Sequence, residues 1–113
     1  MTEAQARAAF AALSEETRLA MLRWLVRRGP AGAAAGEVAR AVGASPSRAS
    51  FHLAALERAG LVVSARSARR VIYRADFARL RALGDFLLEA CCGGEAHLAA
   101  CCAALPEADR PRG

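Results

Sequence analysis

The sequence predicts a mainly α chain with a small β-hairpin wing, in the order helix, turn, helix, wing, terminal helix. Three observations carry this expectation. A short periodic segment, a tight glycine turn and a longer periodic segment follow one another between Glu37 and Ala59. After Gly60, β-rich runs replace the helical period on either side of a basic stretch, and a long apolar helix then closes the pattern.

In chain order, an alanine-rich segment is closed by Phe10 and Leu13, and Ser14 followed by Glu15, Glu16 and Thr17 has the form of a cap opening a second helix. There Leu19, Leu22, Leu25 and Val26 recur at helical spacing, and Gly29-Pro30 stops the helix. Pro30 to Gly36 reads as a small-residue connection. Glu37 to Val42 makes a short helix with Val38 and Val42 on one face, and Gly43-Ala44 turns the chain into Ser45-Pro46, an N-cap followed by proline at the first helical position. The next helix, to about Ala59, turns Ala49, Leu53 and Leu56 inward. Leu61-Val62-Val63 and Val71-Ile72-Tyr73 are the hairpin strands, with Ser64 to Arg70 as a polar, basic tip. A last long helix starts near Asp76 and lines up Phe77, Leu80, Leu83, Leu87 and Leu88, more apolar surface than so small a domain covers alone, which predicts a homodimer. Gly93-Gly94 ends that helix and lets the chain reverse; Glu95 to Leu105 forms a short further helix. Residues 1–105 are thus expected as a single domain and residues 106–113 as a flexible tail.

A chain of 113 residues, 55% hydrophobic, buries one core. Its net charge is +5 and all 16 basic residues are arginines, a residue suited to phosphate and guanine. The distribution is more telling than the total. Arg40 to Arg74 holds seven arginines against Glu57 alone, a local charge of +6, whereas Gly84 to Asp109 holds five acids and no base. No basic leader precedes a long apolar run, and no stretch approaches the roughly 20 apolar residues that span a bilayer, so a cytoplasmic protein without membrane contact is expected. Reduced cysteines in that compartment point to metal binding or redox sensing before structural disulfides.

The helix from Ser45 places Ser47, Arg48, Ser50, Phe51 and His52 around its polar side, where Ser, Arg and His can donate to base edges and phosphates of double-stranded DNA. Any one of them fits an ordinary solvated face. Their grouping with Arg66, Arg69 and Arg70 at a hairpin tip points to a DNA interface, because a merely solvated tip usually mixes both charge signs.

The run A-L-S-E-E-T-R-L-A-M-L-R-W-L from Ala12, the run S-x-x-x-x-S-F-H-L-x-x-L-E-R-A-G-L-V from Ser45, and R-V-I-Y-R from Arg70 together resemble the ArsR/SmtB metalloregulators, over Phe10 to about Leu88. The resemblance implies winged helix-turn-helix subunits, dimerised through terminal helices, that repress their own operon until an inducer releases the operator. By position Ser47, Arg48, Ser50 and His52 fall on the recognition helix and Arg66 to Arg70 on the wing. Arg48 stands where a small hydroxylated residue is common, so the operator sequence does not carry over. Two of the family's sensing patterns are missing: G-E-V-A-R-A occupies the place of the arsenical C-x-C motif, and no histidine lies between Ala75 and Ala90 for a zinc site. Cys91-Cys92, with Cys101-Cys102 beyond, resemble members whose arsenic site sits at the C-terminal end of the dimer helix.

The thiol chemistry points the same way. Soft thiolates select thiophilic ions, and As(III) or Sb(III) prefers three sulfurs in a pyramid, so Cys101 or Cys102 is needed to join Cys91 and Cys92; no organic cofactor is implied. Oxidation of the same thiols is one alternative, and zinc on four thiols, or with His97 as a substitute ligand, is another. A metallochaperone that never touches DNA leaves the basic middle unexplained. An enzyme such as an arsenate reductase needs a nucleophilic cysteine in an oxyanion-binding loop, and the acidic surroundings of Cys91 and Cys92 argue against one.

Overall fold

Alanine, not the larger apolar residues, packs the first helix against the rest. In this computed structural model, which describes residues 1–92 and, within the last helix, side chains as far as Leu88, α1 (Glu3–Leu13) turns Ala6, Ala9 and Ala12 inward and leaves Phe10 partly in solvent. Small side chains let the next helix approach closely. That helix, α2 (Glu16–Arg28), is capped by Glu15, whose carboxylate accepts from the Arg18 N–H at 2.9 Å. Ser14, expected as this cap, instead closes α1, its hydroxyl donating to the Ala11 carbonyl at 2.7 Å. The backbone decides the assignment: Ser14 is still in the helical region, and Glu15 is the first extended residue. Met21, Leu22 and Leu25 of α2 are buried, with Leu19 and Val26 at the exposed margins of its stripe.

The small-residue stretch after α2 holds more than a connection. A 3-10 turn (Gly29–Ala31) leads into a two-residue strand, β1 (Ala33–Ala34). Gly32 stands between them at φ +64°, where a Cβ would collide with the Tyr73 carbonyl and the Ile72 side chain, so only glycine lets β1 reach its partner strand. Next come α3 (Ala35–Val42) and α4 (Pro46–Arg58), then a hairpin of β2 (Val62–Ser67) and β3 (Arg70–Ala75), then α5 (Phe77–Cys92). The sheet is antiparallel in the order β1-β3-β2, with Ala33 opposite Tyr73 and Val62 opposite Ala75.

The hairpin is longer and its tip shorter than the sequence suggests. Ser67 pairs with Arg70, which leaves Ala68 and Arg69 alone as the turn, Ala68 in the left-handed region at φ 57°. Only the base of the hairpin is buried, through Val62 and Ala75; the rest of β2 is exposed. It stands away from the core as a wing. The core joins Met21 and Leu25 of α2, Val38 of α3, Leu53 and Leu56 of α4, and Leu61 and Val62 at the hairpin base, all fully buried. α5 contributes Leu83, with Leu80 and Phe86 packed partly against the cluster. The expected class, mainly α with a small wing, is the one observed. Among the described residues no helix is long and apolar enough to cross a membrane.

Candidate nucleic-acid interface

The turn between α3 and α4 is three residues long, and each has a local reason. Gly43 caps α3 in the left-handed conformation at φ 69°, its N–H directed at the Ala39 and Arg40 carbonyls. The Ala44 N–H also bonds Ala39, at 2.9 Å. Ser45 is extended and accepts from the Arg48 N–H at 3.3 Å, and Pro46 supplies the fixed φ of a first helical residue. The turn therefore sets α4 across α3 at its first residue, with Ala49, Leu53 and Leu56 fully buried as expected.

The outward side of α4 carries Ser47, Arg48, Ser50 and Phe51, all exposed. The Ser47 hydroxyl lies 3.4 Å from that of Ser45, within the capping turn. His52, placed by the sequence on this polar side, faces the other way. It is only 7% exposed, and its Nδ1 accepts from the Arg18 guanidinium at 3.3 Å. Glu15 lies farther off, at 3.8 Å. Position along the helix explains the correction: His52 adjoins Leu53 and follows Ala49 by three residues, so the helical turn carries it to the margin of the buried stripe. Arg18 is fixed in turn by a bond from its Nε to the Ala12 carbonyl at 2.6 Å. His52 thus joins α4 to the start of α2 and the end of α1. Glu15 is held below the ordinary carboxylate value first by the Arg18 N–H, with the Arg18 guanidinium charge acting in the same direction.

On the wing, Arg66 and Arg69 are exposed and, among the described residues, form no ion pair. Arg70 differs: its guanidinium donates to Glu37 at 2.7 Å. Glu37 also accepts from the Ala34 N–H at 3.2 Å and from Arg28 at 3.4 Å. Arg28 in turn reaches the Gly32 carbonyl at 3.0 Å and lies over the Trp24 ring. One carboxylate thereby ties the wing to α2 and to the start of α3. Its pKa is lowered chiefly by the Ala34 N–H and next by Arg70. The sequence offered no pairing for Glu37, because Arg70 lies 33 residues away. The sequence singles out neither Ala54 nor Arg58 for this face, yet both are exposed and continue the line of Ser47 and Phe51 at helical spacing.

Of the four cysteines, Cys91 and Cys92 are the last two residues of α5. Their thiols, and Cys101 and Cys102, lie outside the described residues, as do His97, the short helix expected at 95–105 and the tail expected at 106–113. Among the described residues no three His, Cys, Asp or Glu side chains come together to hold a metal ion.

Comparison with known proteins accords with this arrangement. Residues 13–65 match the helix-turn-helix domain family, which here runs from the end of α1 to the middle of β2. The HTH-type transcriptional regulator YgaV of Escherichia coli (strain K12) is 42% identical over 69 residues, 61% of this chain and 68% of that protein. An ArsR-like transcriptional regulator from Rhodococcus sp. RHA1 superposes with a TM-score of 0.68 at 33% identity, covering 96% of each chain. The homodimeric winged helix-turn-helix DNA-binding domain of Mb0332 from Mycobacterium bovis superposes with a TM-score of 0.60 at 34% identity, over 75% of this chain and 79% of that one. With the three-residue turn, the exposed face of α4 and the wing already in place, these likenesses identify the chain as a member of the ArsR family of helix-turn-helix transcriptional regulators.

Proposed function

We propose that the protein is a repressor that binds operator DNA as a homodimer and leaves it when As(III), or Sb(III), binds the C-terminal cysteine thiolates. The observation that carries the DNA half is the exposed N-terminal part of α4, where Ser47 stands opposite the buried stripe with Arg48 and Ser50 to either side, together with a wing bearing Arg66, Arg69 and Arg70. Groups of this kind suit base edges and phosphates. The homodimeric relative and the exposed Phe77, Leu87 and Leu88 of α5 support two-fold assembly through terminal helices.

The inducer half rests on the two vicinal cysteine pairs, the first of which ends α5. Cys91 and Cys92 follow the dimer helix in the sequence whereas the reading residues lie between Ser45 and Arg70, so an ion acts on DNA affinity only by favouring a dimer geometry whose two α4 helices no longer meet successive major grooves. Such coupling is typically worth about 1 to 3 kcal/mol, or about 5- to 150-fold in affinity. A mobility-shift assay with and without arsenite tests both halves. Wild type should bind and be released, and the Cys91→Ser/Cys92→Ser protein should bind equally well and stay bound. Release of that double variant at the wild-type arsenite concentration sinks the arsenic assignment; release by a thiol oxidant but not by arsenite reassigns the same thiols to redox sensing.

A further inference from the structure

Among the described residues Phe51 is the most exposed large apolar side chain, with 64% of its surface in water. Its place on α4 is specific. Ser47, Phe51, Ala54 and Arg58 follow at i, i+4, i+7 and i+11, all exposed, and form the ridge directly opposite Ala49, Leu53 and Leu56. Phe51 therefore points straight away from the core, in the N-terminal half of the helix. Its ring stands edge-on to the buried His52 ring, 5.5 Å between centroids at 71°, a contact that restrains a side chain otherwise free in solvent.

The company of this ring identifies its partner. Arg48 and Arg58 flank it, Ser47 and Ser50 adjoin it, and the chain from Arg40 to Arg74 carries a local charge of +6. An apolar protein surface closing over Phe51 would strip water from those hydroxyls and guanidiniums without pairing them. The major groove offers acceptors for the polar groups and one apolar feature for the ring, the 5-methyl group of thymine. We propose that Phe51 is a specificity-determining residue that reads a thymine methyl in each half-site. This rests on the DNA-binding reading given above.

The test starts from the duplex most enriched by the full-length wild-type protein from a randomised pool. Each thymine of that duplex is then replaced by uracil, which deletes the methyl and leaves the hydrogen-bonding edge unchanged. For wild type, uracil at one thymine per half-site should lower affinity by about fourfold, the worth of one buried methyl. For Phe51→Ala, affinity for the parent duplex should fall and the uracil scan should be flat. Phe51→Leu should keep a smaller response at the same thymine, which separates loss of the contact from disturbance of α4. A scan that Phe51→Ala leaves unaltered, or an enriched half-site without thymine, overturns the role of Phe51 while the DNA-binding reading stands. A pool from which wild type enriches no sequence overturns the operator reading, and the role of Phe51 with it.

Discussion

Helices α4 and α5 each bury one apolar stripe and leave large apolar side chains in water, yet the surroundings of those side chains differ. On α4 a single aromatic, Phe51, stands among Ser47, Arg48, Ser50 and Arg58. On α5 Phe77, Leu87 and Leu88 are all exposed, next to the partly buried Leu80 and Phe86. The first pattern matches a groove lined with acceptors, the second a surface as apolar as itself. Two helices of similar amphipathic design are therefore suited to different partners, and the difference lies in what accompanies the exposed carbon.

The comparison is broken most severely at the shared inner face. Leu53→Ala removes a fully buried side chain from the centre of the core and should cost about 2 to 5 kcal/mol in urea or thermal unfolding, whereas Ser50→Ala on the outer face should stay within about 0.5 kcal/mol. Similar costs for the two would mean that α4 is turned about its axis relative to the orientation described.

The next test sharpens the α5 side. Wild type should sediment as a dimer at micromolar concentration and Leu87→Glu with Leu88→Glu as a folded monomer, since the four leucines of two copies contribute on the order of several kcal/mol when covered. Charges on α4 should leave the dimer unchanged. Arg48→Ala should instead lower operator affinity by about 1 to 3 kcal/mol with little change on random duplex. Arg69→Ala should weaken all sequences alike and reduce the salt slope by about 0.9. Equal behaviour of the two arginine variants would remove the distinction between α4 and the wing.

The smallest effect is on pH dependence. Glu15 and Glu37 both titrate below the ordinary value of 4.5, so each stabilises the fold while ionised. That contribution is fully present above pH 4.5 and is lost as the pH falls through the lowered values. Glu15→Gln or Glu37→Gln should flatten stability against pH in this acid range and leave it nearly flat near neutrality, as followed by circular dichroism.

Much of the fold was legible because it rests on local signals. Gly43, Ser45 and Pro46 specify the turn within four residues, and the inward spacing of Ala49, Leu53 and Leu56 fixes the orientation of α4. The missed features depend on distant partners or unusual local chemistry. β1 is two alanines that become a strand only against Tyr73 and Ile72. The hairpin turn places alanine where Asn-Gly is the usual signal, so its tip looked longer than it is. His52 was misplaced because a polar side chain on the margin of a stripe is ambiguous until Arg18, 34 residues earlier, is seen to meet it. Similarly, the +6 of the central segment overstates what is free for phosphate, since Arg70 is already held by Glu37.

The junction between β3 and α5 has a mechanical consequence. Asp76 alone separates the last residue of the strand from the first of the helix, and its N–H is bonded to the Leu61 carbonyl at 3.0 Å while its carboxylate caps Arg79. The joint is a single residue, and it fixes the start of α5 to the end of β3 and, through the Leu61 carbonyl, to the residue that precedes β2. Because β3 is the central strand of the sheet, the same joint is tied on one side to β1, which precedes α3 and α4 in the chain, and on the other to β2, which follows them. The direction in which the terminal helix leaves the domain is thus set by a joint one residue wide.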